Sequence, residues 1–278
     1  MNPKNWLITG TSSGLGRQLA ERLLERGDRV FATLRRAEAL ADLQRRHPDR
    51  LQVGVLDVTD GAAVPRVVDD AFRVFGRVDV VVSNAGFGLF GAAEELSDEQ
   101  IAHQIDTNLV GSMRVIRAAL PHLRGQGGGR VLQLSSEGGQ TAYPGFSAYH
   151  ASKWGIEGFI EAVAQEVAPF RIFFTIAQPG PTRTNFGASL VTAPAMPAYG
   201  ASAVRQVRDG FADGSFPVRG DADRMAQAMI AAMDAGVAPA RLTLGTAAYE
   251  RIHTALTGRL AALEGQRDLA LSCDSEAA

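Results

Sequence analysis

Tyr149 and Lys153 stand four residues apart in the run Tyr149-His150-Ala151-Ser152-Lys153. Of the 28 basic residues in the chain only two, Lys4 and Lys153, are lysines. A chain that writes nearly every positive charge as arginine keeps a lysine where it follows a tyrosine at helical spacing. Residues i and i+4 share one face of a helix, so the ammonium can sit beside the phenol. There it favours the phenolate and lowers a pKa that starts near ~10. A compact ammonium also grips a sugar hydroxyl in a way that a flat guanidinium does not. A solvated helix face carries the same two residues when the spacing stands alone, so other features must decide.

The strongest of these is a glycine turn. The apolar run Trp6-Leu7-Ile8-Thr9 leads into Gly10-Thr11-Ser12-Ser13-Gly14-Leu15-Gly16 and then into a helical pattern. Glycines permit a tight turn and let backbone N–H groups approach a pyrophosphate at the positive end of a helix. The spacing is Gly-x-x-x-Gly-x-Gly, not the Gly-x-Gly-x-x-Gly of other dinucleotide folds. A phosphate site is expected over Gly10, Ser12, Ser13, Gly14, Leu15 and Gly16. The end of the second apolar run reads Leu34-Arg35-Arg36. An acidic side chain there would bind a ribose 2′-hydroxyl, whereas arginine pairs a 2′-phosphate bidentately. Arg35 and Arg36 thus favour NADP(H) over NAD(H), unless they only form a solvated helix start.

Those motifs need a scaffold, and the chain supplies one. With 278 residues, 46% of them hydrophobic, it is long enough to bury a sizeable core, and one domain over 1–278 is expected. Short β-branched runs at 6–9, 29–33, 51–56, 78–83, 130–135, 172–177 and 242–244 alternate with helical patterns. The helices are expected at 15–26, 37–46, 62–75, 98–123, 148–168, 222–235 and 247–266. Alternation of this kind predicts an α/β fold, one doubly wound parallel sheet of seven strands with helices on both faces. Residues 182–219 break the rhythm and carry Pro194, Pro197 and Pro217. A segment of that length is expected to form short helices over a ligand, as a substrate-loop insertion. The last helix, at about 247–266, either packs on the core or builds an interface.

Composition narrows the function classes. A net charge of −2 and a pI near 6.2 give no global pull toward nucleic acid or an anionic membrane. The single Cys273 excludes an internal disulfide or a cysteine metal cluster, and the five histidines are scattered, so no metal is expected. The N-terminus enters the first strand without a signal-peptide core, and no apolar stretch is long enough to span a bilayer. A soluble cytoplasmic protein is the expectation.

Taken in order, the motifs resemble the short-chain dehydrogenase/reductase family in its single-domain, Tyr-x-x-x-Lys form. They are the Thr9-Gly10-x-x-x-Gly14-x-Gly16 turn, Asn84-Ala85-Gly86, Asn108, Ser136, Tyr149-x-x-x-Lys153 and Pro179-Gly180. The match runs over about residues 5–245. It implies a Rossmann-like domain and an oxidoreductase interconverting a ketone and a secondary alcohol. Reduction of a largely apolar carbonyl with NADP(H) is favoured, over an NAD-dependent alcohol dehydrogenase or a non-catalytic dinucleotide-binding sensor. The resemblance also implies a homodimer or homotetramer, often built through the helices carrying Asn108 and Tyr149.

The resemblance carries roles onto single residues. Tyr149 would be the general acid in reduction and the base in oxidation, its pKa lowered by Lys153 and by an oxidised nicotinamide when present, and Lys153 would also bind the nicotinamide ribose. Ser136, thirteen residues before Tyr149, would donate to the substrate oxygen. Asn108 would hold a proton-relay water. Asp57 and Val58 resemble adenine contacts, and Asn84, Ala85 and Gly86 a turn beside the adenosine half. Ser83 replaces the first asparagine of the usual Asn-Asn-Ala-Gly, and Ser13 stands where many NADP-preferring members carry a second basic residue. Pro179, Gly180, Thr182 and Thr184 resemble the loop that orients the nicotinamide carboxamide. Phe87, Leu89, Phe90, Tyr143, Phe146, Phe186 and Tyr199 fall around the expected cleft, as pocket wall or as core. Glu137, next to Ser136, would either orient a polar group of the substrate or form a loop salt bridge.

Overall fold

A computed structural model describes residues 3–187 and 189–274 of the chain. Seven strands form one sheet: β1 (Asn5–Thr9), β2 (Arg29–Leu34), β3 (Leu51–Val55), β4 (Val80–Ser83), β5 (Gly129–Leu134), β6 (Ile172–Pro179) and β7 (Arg241–Leu244). Every neighbouring pair is parallel, in the order β7-β6-β5-β4-β1-β2-β3. This is the doubly wound architecture expected, and its direction of winding reverses between β1 and β4. Ligands of open α/β sheets bind at such a reversal, outside the carboxyl ends of the strands.

The sheet is apolar on both faces because its strands alternate between two cores. Trp6, Ile8, Val80, Val82 and Leu132 face one layer, together with α1 (Gly14–Arg26), α2 (Ala41–Arg46) and α8 (Ala222–Asp234). Leu7, Val81 and Val131 face the other, with α3 (Ala63–Phe75), α5 (Gly111–Gly125) and α6 (Ser147–Val167). The apolar stripe on α5 and α6, from Val115 to Leu123 and from Ile156 to Val167, faces the sheet. Glycine ends the helices where the sequence places it: Gly27, at φ 100°, donates to the carbonyls of Leu23 and Leu24.

One expected helix is divided. The pattern at 98–123 forms α4 (Asp98–Ile105), a π-helical turn (Asp106–Val110) and then α5. The bulge sits on Asn108, whose side chain is drawn onto the backbone of Phe87, and π-bulges of this kind collect at functional sites. Gly111, just past it, approaches Val58 so closely that a Cβ would lie 2.8 Å from a Val58 methyl.

The 182–219 segment does contain a short helix, α7 (Ala203–Ala212), and its two ends are pinned side by side. Thr182–Arg183 pairs in parallel with Gly220–Asp221, and midway Val191–Thr192 pairs with Leu89–Phe90. The last long helix, α9 (Thr246–Glu264), buries Ala248 and Ile252 in its first turns and exposes Leu256, Leu260 and Leu263, before the short α10 (Arg267–Leu271). No described helix is long and apolar enough to cross a membrane.

The second lysine is structural. Lys4 Nζ donates to the Met233 carbonyl at 2.9 Å and pairs with Asp234, while Arg130 at the start of β5 donates to Met233 (2.8 Å) and Ala235 (2.5 Å). Both cations satisfy the free carbonyls at the negative end of α8. Replacing Arg130 with Ala should lower the unfolding free energy by about 1.5–3 kcal/mol, the worth of charged hydrogen bonds, as read from urea denaturation.

Candidate active site

The cleft starts at the glycine turn. Gly10, at φ 72°, donates its N–H to Thr33 at 2.9 Å, and Gly14 adopts φ 61°. A Cβ on Gly16 would meet Asn84 Nδ2 at 2.3 Å and the Gly10 carbonyl at 2.6 Å, so only glycine lets α1 start this near the β4 loop. Thr9 and Asn84 fasten the two loops together. Asn84 Nδ2 donates to the carbonyls of Thr9 (2.8 Å) and Gly10 (3.0 Å), and the Thr9 hydroxyl accepts the N–H groups of Asn84 (3.0 Å) and Ala85 (3.1 Å). Ser13 makes no side-chain cap and the first turn of α1 holds no acid, so the N–H groups at this end face the cleft uncapped.

From here one cavity of about 520 Å³ runs across the carboxyl ends of the strands. It brings together Gly10, Ser12, Ser13, Gly14, Leu15, Arg35, Asp57, Val58, Asn84, Ala85, Gly86, Ser136, Glu137, Tyr143, Phe146, Tyr149, Lys153, Pro179, Gly180, Thr182, Thr184 and Phe186, all anticipated from the sequence. Three residues anticipated for cofactor binding or catalysis lie off its wall. Gly16 is behind the turn it shapes, Arg36 caps a 3-10 turn outside the cavity, and Asn108 is buried behind Phe87. Asn108 is clamped: its Oδ1 accepts from Phe87 N at 3.0 Å and its Nδ2 donates to Phe87 O at 2.9 Å. Its side chain therefore holds the Gly86–Phe87 wall in place.

At the chemical end, Tyr149 and Lys153 lie on one face of α6, both buried. Lys153 Nζ is 5.7 Å from the centre of the Tyr149 ring and donates to the Leu134 carbonyl at 2.9 Å. Burial acts against the lowering expected from the ammonium. Burial pushes Tyr149 up to about 12, against the opposing effect of the Ser136 hydroxyl, with Glu137 adding to the rise. Burial likewise brings Lys153 down to about 8, while the charge of Glu157 works against the fall. Ser136 accepts a hydrogen bond from Gly138 N at 3.0 Å, which leaves its O–H proton to donate. Ser135 instead gives its proton to Glu157 at 2.6 Å, so the neighbouring serine is committed to the scaffold.

At the other end the cavity meets Arg35, which forms no ion pair among the described residues. Burial alone would raise the pKa of Asp57, but the N–H and hydroxyl of Thr59, with Arg35 nearby, hold it below the ordinary value. Much of the remaining wall is aromatic. Phe87, Tyr143, Phe146 and Phe186 line it as anticipated, whereas Leu89 and Phe90 are core and Tyr199 bonds Glu94 outside.

Several residues escaped the sequence reading. His103, Thr107, Phe211, Phe216 and Val218 also line the cavity, with Phe211 and Phe216 stacked at 4.3 Å. His150 carries its proton on Nδ1, since that atom faces the Gly138 carbonyl at 3.0 Å while Nε2 accepts from Tyr143 N at 3.2 Å. Glu157, one turn beyond Lys153, accepts from Ser135, Gln140, Gln178 and Arg241. None of these has a local motif; each gains its place only when distant segments meet.

A helix N-terminus open to a cleft at the sheet's reversal point defines a dinucleotide-binding α/β protein. The comparisons narrow the class. The short chain dehydrogenase family model matches residues 4–202. Oxidoreductase BOA17 of Botryotinia fuckeliana is 36% identical over 275 residues, 97% of this chain and 98% of that protein. A short-chain dehydrogenase from Streptomyces avermitilis superposes with a TM-score of 0.91 at 40% identity, over 98% of this chain and 99% of that one. An alcohol dehydrogenase from the archaeon Thermococcus sibiricus, complexed with 5-hydroxy-NADP, superposes with a TM-score of 0.72 at 27% identity, over 87% and 96%. The chain belongs to the short-chain dehydrogenase family. It is an oxidoreductase acting on CH-OH and C=O groups with a nicotinamide dinucleotide, and the open N–H groups of α1 and the buried cation Lys153 fit that cofactor.

Substituting Gly16 by Ala should cost about 1–3 kcal/mol of stability through overpacking, because its Cβ would meet backbone as well as Asn84. Denaturation midpoints of the two proteins check this, and an unchanged midpoint would show that the turn yields.

Proposed function

We propose that this enzyme reduces a largely apolar ketone to a secondary alcohol with NADPH. The observation that supports the reading best is the continuity of the cavity, with Arg35 at one end, Ser136, Tyr149 and Lys153 at the other, and aromatic walls beyond them. When bound, the reduced nicotinamide supplies the hydride. The rest is the work of this chain. The N–H groups around Ser12, Ser13, Gly14 and Leu15 are assigned to the pyrophosphate and Arg35 to the 2′-phosphate, with Arg36 next to it. Asp57 and Val58 border the adenine, Asn84, Ala85 and Gly86 the adenosine half, and Pro179, Gly180, Thr182 and Thr184 the carboxamide.

Lys153 holds the nicotinamide ribose. The Ser136 O–H donates to the substrate oxygen, where negative charge develops, and Tyr149 gives its proton to the same oxygen. Reduction needs Tyr149 protonated, and a pKa pushed up to about 12 keeps it so through the neutral range.

Titration with NADPH and NADH by nicotinamide fluorescence tests the cofactor assignment. A guanidinium–phosphate pair is worth about 1.5–3 kcal/mol, so Arg35→Ala should weaken NADPH binding by roughly 10- to 100-fold and leave NADH nearly unaffected. Equal binding of both cofactors by the unaltered protein would refute the NADP(H) assignment.

The pH dependence has a definite sign. Lys153 is charged below about 8 and loses its charge as pH rises through that value. Reductive kcat/KM should therefore be flat on the acid side and fall along a limb near 8, whereas alcohol oxidation, which needs the phenolate as well as the charged lysine, should first rise with pH and then level off above that limb. Profiles in both directions check this, and a reductive profile without the alkaline limb would remove Lys153 from the assignment.

A further inference from the structure

Glu137 is the residue of the cavity whose chemistry the reaction above leaves unused. Its side chain is only 1% exposed, yet it lines the cavity immediately after Ser136. One carboxylate oxygen, Oε1, is engaged by Arg251 of α9. The other, Oε2, is buried and has no hydrogen-bond partner among the described residues. A buried acceptor left unpaired costs free energy, so such an atom in a native cavity calls for a partner that arrives from outside the chain.

The surroundings say what kind of partner. Gly180 lies against the free oxygen, since a Cβ there would stand 3.3 Å from Oε2. The carboxylate also shares the cavity wall with both tyrosines, directly after Ser136 in the chain. A group bound to Oε2 is thus held beside the reacting carbonyl. The free oxygen only accepts, so that group must be a donor. Arg251 already balances the charge of Glu137, and Lys153 places a further cation in the same cavity. An ammonium would bring in an extra, unbalanced positive charge, whereas a hydroxyl pairs the oxygen without one.

Resting on the carbonyl-reducing reading above, we infer that the substrate is a hydroxyketone, whose hydroxyl donates to Glu137 Oε2 while its carbonyl is reduced at Tyr149. Arg251 is a positioning residue: it engages Oε1 and so leaves Oε2 as the unpaired oxygen, beside Gly180. A site built to bond a hydroxyl rejects analogues that lack one, because the acceptor is then left unpaired.

The test uses phenyl ketones with a terminal hydroxyl two, three or four carbons along the chain, each beside its deoxy and O-methyl counterparts, with NADPH. For at least one chain length the hydroxyketone should exceed both counterparts in kcat/KM by tenfold or more. In Glu137→Gln, where an amide NH₂ can replace the free acceptor, that ratio should collapse toward one, and the O-methyl ether should gain relative to the alcohol. Ratios near one at every chain length in the unaltered enzyme, or a Glu137→Gln variant that keeps the preference, would overturn the inference. If no ketone is turned over, the reductase reading fails instead. Thermal upshifts by the same ketones with NADPH then decide for Glu137 if the alcohols alone stabilise, and against it if they act like their counterparts.

Discussion

A buried carboxylate, Glu157, holds the catalytic end of this molecule together. It is 2% exposed and takes hydrogen bonds from Ser135 after β5, Gln140 in the following loop, Gln178 on β6 and Arg241 on β7. Three strand ends and α6 are thereby fastened to one anion. The approach is so close that a Cβ on Gly139 would stand 2.1 Å from its Oε1. A charge out of water is tolerated only when its lone pairs are filled, and here they are. The same anion lies one turn from Lys153 and keeps that lysine's pKa from falling further. Scaffold and chemistry therefore share one electrostatic centre.

The two ends of the cleft are organised by opposite means. Around the glycine turn, backbone N–H groups and the Asn84 amide do the work, and nothing there needs to change protonation. Around Tyr149, burial sets the protonation states and aromatic rings stand close, with Phe146 6.0 Å and Phe186 5.9 Å from the tyrosine ring. A rigid, polar grip on the cofactor thus adjoins a pocket walled largely by aromatic rings. Charges act more strongly where burial lowers the local dielectric, which is why a single additional carboxylate such as Glu137 carries weight there.

Much of this was legible in the sequence, for definite reasons. Each sheet strand is a short, largely apolar run bounded by turn residues, and the glycine turn and the Tyr-x-x-x-Lys pair are local patterns whose geometry follows from one element. What escaped depends on chain closure. The π turn at Asp106–Val110 leaves the helical periodicity almost intact, so 98–123 reads as one helix. Phe211 and Phe216 reach the cavity only because the 182–219 segment folds back, and Arg251 finds Glu137 across 114 positions of sequence. The burial of Tyr149 and Lys153 was hidden for a related reason: spacing places an ammonium on the right face, but only packing reveals how thoroughly both groups are enclosed.

The pinning of residues 182–219 has an evolutionary corollary. Because Thr182–Arg183 is bonded beside Gly220–Asp221, the segment begins and ends at one spot on the scaffold. Closing a longer loop between fixed anchors costs little, roughly 0.6 kcal/mol for each doubling of length. Insertions, deletions and rewritten helices between those anchors leave the sheet, the glycine turn and the proton-transfer residues undisturbed. The region behaves as an interchangeable cassette, through which one ancestral scaffold can be refitted to new molecules without rebuilding its chemistry.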